Sequence, residues 1–193
     1  LTQKMQLRLE GNERGIAKKY TTSNDAYQLY LKGRYHWSRR TKEDILKAIE
    51  NYKKAIDLDP TFALAYAATA EAYNSMGKNP DAPPKDCIPL AKQAATRALE
   101  IDPMLPQAHS ALADSLALYD WDWAESERHF KKALELDPNI SYTYVAYGGS
   151  YLEPMGKPDE AVAALERAVA IEPLAMIDNC ILTTTYIYAR KYD

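Results

Sequence analysis

The side chains able to do chemistry are few and scattered in this sequence. Its three histidines are His36, His109 and His129, and its two cysteines are Cys87 and Cys180. A zinc site needs such ligands at short, fixed spacings, and an activated nucleophile needs an adjacent base. The sequence has neither pattern, and it has no glycine-rich loop of the kind that holds phosphate. We therefore predict no enzyme, no metal site and no cofactor, and we interpret the histidines as packing or surface residues.

Composition also narrows the class of protein. The 193 residues are 47% hydrophobic, which is enough to form a buried core, and 24 basic and 27 acidic side chains leave a formal charge of -3. That balance gives no overall attraction to nucleic acid or to an anionic membrane. No apolar run is long enough to cross a bilayer, so we expect no membrane insertion by this segment.

Four short segments recur along the sequence and predict where helices end. They read AIDLDP, ALEIDP, ALELDP and AVAIEP, and they end at Pro60, Pro103, Pro138 and Pro173, at spacings of 43, 35 and 35 residues. Small residues lie five and twelve positions before each proline, on one helical face, where they allow a neighbouring backbone to come close. Proline then ends the helix because it lacks an amide hydrogen and restricts the residue before it.

A second helix is predicted after each proline. After Pro60, Tyr66 and Tyr73 flank the small pair Thr69 and Ala70 at helical spacing. The same pattern begins again at His109, Tyr144 and Asn179. Each repeat is therefore a pair of helices, and the predicted helices lie near residues 26–39, 42–58, 62–76, 87–101, 105–118, 123–136, 140–153, 158–171 and 174–190. The proline-rich segment 78–86 explains the longest spacing as a surface loop within one solenoid.

These patterns resemble the tetratricopeptide repeat, in which bulky, small and aromatic residues alternate before a terminal proline. The resemblance runs from about residue 26 to residue 193 and implies an all-α fold, a right-handed α-solenoid of antiparallel helix pairs. The pairs span about residues 26–60, 61–103, 104–138 and 139–173, followed by a partial pair at 174–193. Residues 1–25 fit no repeat, and we interpret them as an N-terminal extension that forms the tail of an upstream domain.

Two longer segments indicate a context. YQLYLKGRYHW and YDWDWAESERHFKKALELDP resemble the repeat segments of bacterial multidomain regulators, among them serine/threonine kinases, winged-helix regulators and cyclase-like proteins. The resemblance implies a non-catalytic scaffold within a larger bacterial regulatory protein, where it recruits a partner protein or peptide. The cytoplasm is the favoured location, and the periplasm fits if the parent protein has an upstream transmembrane helix.

The resemblance also implies where a partner binds, because the first helix of each pair lines the concave face. Carried over residue by residue, the partner-binding residues are Leu64, Ala67, Glu71, Asn74, Gln107, Ser110, Asp114, Tyr142, Val145, Gly149, Ile177, Cys180, Thr184 and Tyr188. Tyr142 and Tyr188 are candidate anchors, unless they pack between helices. Glu71 and Asp114 would repel an acidic chaperone tail and favour a basic, neutral or partly aromatic peptide, unless they only keep the surface soluble.

Three other features have two interpretations each. One is a basic cluster interleaved with aromatic residues, which consists of Lys32, Arg34, His36, Arg39, Arg40 and Lys42. Such a cluster is typical of some nucleic-acid surfaces, but the favoured interpretation is that these side chains solvate the end of a helix. Trp121 and Trp123 could form an exposed recognition edge, but packing is favoured. The apolar side of the helix predicted at 174–190 stays open, so self-association through this end, or a spacer role, is the alternative function.

Overall fold

The computed structural model describes residues 20–189, and all regular structure in that range is helical. The predicted N-terminal extension lies mainly outside these residues. The α-helices of the described range are α1 (Asn24–Ser38), α2 (Lys42–Leu58), α3 (Ala63–Gly77), α4 (Pro84–Ile101), α5 (Pro106–Ser115), α6 (Trp123–Leu136), α7 (Ser141–Ala146), α8 (Pro158–Ile171) and α9 (Met176–Tyr188). Two π-helical segments, Leu116–Asp120 and Tyr147–Leu152, continue α5 and α7.

Helix ends follow the capping signals in the sequence. The side chains of Ser23, Thr41 and Asp122 accept backbone hydrogen bonds at the starts of α1, α2 and α6. The residue before each repeated proline lies just after the end of its helix and has an extended or irregular backbone conformation, as predicted. The largest shift of a helix start is at α4, which begins at Pro84, three residues before the predicted position, because proline is tolerated in the first helical turn.

The helices pack in pairs along the chain. Helix α1 packs on α2, α3 on α4, α5 on α6 and α7 on α8, and α9 packs on α8. First helices of successive pairs also touch, since α3 contacts both α1 and α5, and α5 contacts α7. The result is an α-solenoid whose first helices form one continuous layer, and that layer positions the candidate site.

Small residues allow the close packing within each pair. Ala48, Ala55, Ala91 and Ala98 are completely buried at the predicted positions of α2 and α4. Gly33 of α1 faces the ring of Tyr52, which is also completely buried. No helix among residues 20–189 combines the length and the apolar character needed to cross a membrane.

Candidate functional site

The predicted concave residues become more exposed from the second pair to the last. Seven of them are buried: Leu64, Ala67, Glu71, Asn74, Ser110, Asp114 and Tyr142. Three are partly exposed: Gln107, Val145 and Gly149. The four on α9 are the most accessible as a group: Ile177, Cys180, Thr184 and Tyr188. The concave face is therefore closed over α3 and α5 and open over α9.

A polar ladder links the first helices along the closed part. Between α1 and α3, Arg34 Nη1 donates to Glu71 Oε2 at 2.8 Å. Between α3 and α5, Asn74 Nδ2 donates to the carbonyl oxygen of Ala111 at 2.8 Å, and Ser115 Oγ donates to Asn74 Oδ1 at 2.9 Å. These bonds satisfy polar groups that would otherwise be costly to bury, and they fix the register of neighbouring pairs.

The ladder continues across the later pairs. Asp114 Oδ2 accepts from Lys78 Nζ at 2.9 Å and from the hydroxyl of Tyr142, which lies on α7, at 2.6 Å. Ser141 Oγ on α7 then donates to Asp178 Oδ2 on α9 at 2.9 Å. Each first helix is thus joined to the next by side chains of the concave face.

The carboxylates of the ladder are not exposed groove charges, which corrects the expectation from sequence. Glu71 is 2% exposed and Asp114 is completely buried, and each forms an ion pair, with Arg34 and Lys78 respectively. Burial raises the pKa of Glu71, although the nearby Arg34 opposes that shift. Burial and the Asp114 carboxylate raise the pKa of the Tyr142 hydroxyl. Because both carboxylates are neutralised, they cannot be the charges that repel an acidic tail.

The end of α1 closes the first part of the groove. The rings of Trp37 and Tyr142 meet edge to face with centroids 5.9 Å apart, so the first helix of pair one touches the first helix of pair four. The guanidinium groups of Arg34 and Arg40 lie 4.4 and 3.4 Å from the Trp37 ring centroid. A cavity of about 190 Å³ remains between these side chains and Asp178. Sequence reasoning missed the role of Trp37, because its partner is distant in the chain.

The basic cluster at residues 32–42 does not form one surface. Arg34 and Arg40 line the concave cavity, whereas Lys32 and Lys42 are exposed. The remaining two contact a carboxylate outside the groove: His36 Nδ1 lies 2.9 Å and Arg39 Nε lies 3.4 Å from Asp44. Hydrogen bonds from His36 and Thr41 lower the pKa of that carboxyl. The arrangement does not provide the continuous basic surface on which the nucleic-acid interpretation depended.

The two tryptophans near residue 120 have different environments. Trp123 packs against Tyr151 with ring centroids 6.2 Å apart, in agreement with the favoured prediction. Trp121 is 71% exposed and has a positive φ of 55° at the end of the π-helical segment. The packing interpretation therefore does not hold for Trp121, whose ring is largely accessible, whereas Trp123 is only partly exposed.

A second, larger groove lies outside the concave face. Its volume is about 1090 Å³, and it runs between α2, α3 and α4, with Tyr66 and Tyr73 among its lining residues. Four of its charged side chains interact locally: Lys92 pairs with Asp120, and Arg97 Nη1 lies 2.7 Å from Glu100. Lys53 and Asp57 add one charge of each sign. The groove therefore presents no uncompensated charge of one sign.

Two of the three histidines meet inside the third pair. His109 on α5 and His129 on α6 are both 8% exposed, and their Nδ1 atoms lie 2.8 Å apart. His109 Nε2 lies 3.0 Å from the carbonyl oxygen of Pro103, and Arg128 Nη2 lies 3.1 Å from His129 Nε2. Because a carbonyl only accepts and a guanidinium only donates, His109 Nε2 donates to Pro103, and His129 Nδ1 donates to His109. Both rings are therefore neutral in this arrangement.

The surroundings favour the neutral rings. Burial is the main cause that lowers the pKa of both histidines, and that of His129 falls to about 4. The cations Arg128 and Lys132 lower the pKa of His109 further, and Arg128 also lowers the pKa of His129. Two carboxylates act in the opposite direction: Asp102 raises the pKa of His109, and Glu125 raises that of His129. Within residues 20–189, no group of three or more histidine, cysteine or carboxylate side chains is arranged to hold a metal ion.

The protein is expected to lose stability as the pH falls from about 6.5 toward 4. In the unfolded chain a histidine titrates near 6.5, so in this range the unfolded state binds more protons than the folded state. The free energy of unfolding should fall by about 1 kcal/mol per pH unit, measured by urea unfolding at several pH values. A His109→Gln, His129→Gln double variant should lose most of that slope; an unchanged slope would assign the pH dependence to other groups.

Comparison with known families and sequences gives a consistent result. A family model described as TPR repeat matches residues 40–77, and one described as tetratricopeptide repeat matches residues 142–173. The transcriptional regulator HilA of Salmonella typhimurium is 26% identical over 151 residues, which cover 78% of this chain and 27% of HilA. HilA of Salmonella typhi matches to the same extent. The chain thus spans about a quarter of the length of the curated relatives it matches.

Solved structures are similar in fold. TTC0263, a thermophilic TPR protein of Thermus thermophilus, superposes with a TM-score of 0.64 at 20% identity, covering 95% of each chain. The first TPR of Spaghetti (RPAP3), bound to the HSP90 peptide SRMEEVD, has a TM-score of 0.51 at 18% identity and covers 75% of this chain and 96% of that one. At these identities the likeness concerns the fold alone.

Proposed function

Since this chain is a tetratricopeptide repeat protein, we propose that it is a non-catalytic scaffold that binds a partner protein or peptide on its concave face. The main support is the exposure of that face on the last helices. Ile177 is 42% and Tyr188 is 72% exposed on α9, and partly exposed Val145 and Gly149 continue the same face on α7 and its π-helical continuation. An aromatic side chain with a polar tip can anchor a partner at low entropic cost.

The likeness to HilA favours a place for this scaffold within a larger regulatory protein. HilA is described as a transcriptional regulator, and the matched region is 27% of its length. We propose that the chain likewise recruits a partner on behalf of other domains of its parent protein. A catalytic role has no support from the residues described above.

An acidic tail is not the proposed ligand, although the reason differs from the one expected from sequence. The RPAP3 structure holds an HSP90 peptide that carries several acidic residues. Such a peptide needs free cations, but Arg34 and Lys78 of this chain are already paired with Glu71 and Asp114. Breaking those buried pairs would leave carboxylates unpaired, which is costly. The guanidinium of Arg40 is stacked on the Trp37 ring and bonded to Ser75, so it is not held open for a carboxylate either.

Site-specific photo-crosslinking tests the proposal. A benzoylphenylalanine in place of Thr184, which is exposed on the open concave face, should crosslink to a partner protein in source cells. The same group in place of Glu135, exposed on the second helix α6, should give much less of that product. Equal products at both positions would contradict binding on the concave face.

One observation favours an assembly role as the alternative. Large apolar side chains are exposed at and before α9, where Leu174 is 98%, Met176 is 78% and Ile187 is 56% exposed. Exposed apolar side chains grouped in this way are typical of surfaces that associate with another protein chain. In the same experiment, a Thr184 product of twice the mass of the chain would support association between copies rather than recruitment of a partner.

A further inference from the structure

The closed end of the concave groove is filled by side chains from the end of α1. Arg34, Trp37 and Arg40 lie at intervals of three residues and line one cavity with residues of α3, α7 and α9. Trp37 is 6% exposed, and its ring reaches across the groove to Tyr142. A peptide bound along the whole concave face would have to occupy the same space.

The walls of this part of the groove complement the side chains that fill it. Arg34 pairs with Glu71 at 2.8 Å, and Arg40 Nη1 donates to Ser75 Oγ at 3.1 Å. Asp178 lies on the far wall of the same cavity. Burial lowers the pKa of Arg40, and among the charged groups nearby the Asp178 carboxylate does most to raise it again. The walls of this cavity are therefore acidic and aromatic, although their carboxylates are buried, and this chain itself supplies the basic and aromatic side chains that fill the space.

The fit of that internal occupant is incomplete. Trp37 Nε1 is buried and has no hydrogen-bond partner among residues 20–189, which costs about 1–3 kcal/mol. Arg40 has a positive φ of 57°, a conformation that costs a non-glycine residue about 1 kcal/mol or more. Burial lowers the pKa of Arg40, and this guanidinium forms no ion pair with a described carboxylate. These costs leave the segment from Trp37 to Arg40 less stably held in the groove than an occupant with all its polar groups paired.

We infer that the end of α1 is an internal occupant of the concave groove, and that the closed end of the groove selects a partner segment carrying an aromatic side chain flanked by arginines. This inference rests on the proposed function and adds the chemistry of the partner. A partner segment is free of the backbone constraint at Arg40 and can pair its own donors with Asp178, while the ion pair between Arg34 and Glu71 stays intact. It would extend from the open face over α9 into the space that Trp37 vacates.

The test uses a peptide with the sequence of residues 32–42, KGRYHWSRRTK, labelled with a fluorophore and titrated with the whole chain. A Trp37→Ala, Arg40→Ala variant should bind it at least tenfold more tightly than the unaltered chain, by fluorescence anisotropy. The matched control is Lys32→Ala, Tyr35→Ala, which removes a basic and an aromatic side chain from the exposed face of α1. The control should bind as weakly as the unaltered chain.

Equal binding to the unaltered chain and the double variant, or binding to neither, would overturn the inference. A peptide with alanine in place of its tryptophan and of its first and last arginines must also fail to bind the double variant. Should that variant unfold, Trp37→Phe, Arg40→Gln keeps most of the packing and should show the same direction of change. Because the crosslinking at Thr184 does not depend on Trp37, the proposed function can hold even if this inference fails.

Discussion

Replacing Arg34 with methionine is expected to lower the free energy of unfolding by about 3 kcal/mol, since it leaves the Glu71 carboxylate buried without its partner. Methionine retains most of the apolar volume of arginine, so the change isolates the loss of the charge. Burial already raises the pKa of Glu71, and Arg34 is the main group that opposes this shift. The loss should therefore shrink at low pH, where Glu71 can take up a proton and become neutral. Urea unfolding followed by circular dichroism at pH 7 and pH 5 measures both effects.

A matched control is available on the surface of α2. Lys54 and Glu50 also form an ion pair, at 2.6 Å, but both side chains are largely exposed. Exposed pairs contribute little because water screens them, so Lys54→Met should leave the unfolding midpoint unchanged. Similar losses in the two variants would contradict a special role for the buried pair.

The helix pairs could be predicted from sequence because their signals are local. The stop before Pro60 and the cap at Thr41 depend on residues a few positions apart, and both are found in the structure. The small residues that allow the pairs to pack, such as Ala48 and Ala98, likewise follow from a fixed helical spacing.

The state of the groove could not be predicted, because it depends on how tightly successive pairs curve. Whether Trp37 reaches Tyr142 is decided by the summed rotation of three pairs, to which no single spacing in the sequence corresponds. Glu71 and Asp114 lie on the first helices, as the sequence indicates. Their carboxylates can be buried because Arg34 and Lys78, which are distant in the chain, form ion pairs with them. The π-helical continuation of α5 and α7 was also unexpected, and it extends these helices while shifting the faces of their last residues.

Replacing Gly33 with alanine is expected to destabilise the first pair by about 3 kcal/mol. The new Cβ would lie 2.9 Å from Cζ of Tyr52 and closer still to two other carbons of that ring. Tyr52 is completely buried, so its ring cannot move aside without opening a gap between α1 and α2. In a protein of this size, such a loss corresponds to a melting temperature lower by roughly 6–12 °C.

Gly149 provides the comparison, since it also lies in the first-helix layer but has no atom within 4 Å of an added Cβ. Gly149→Ala should leave the melting temperature unchanged or raise it, because alanine is a better helix former than glycine by up to about 1 kcal/mol. If both substitutions were harmless, the contact between Gly33 and Tyr52 would not hold α1 on α2. The close approach of α1 to α2 would then not depend on the absence of a side chain at residue 33.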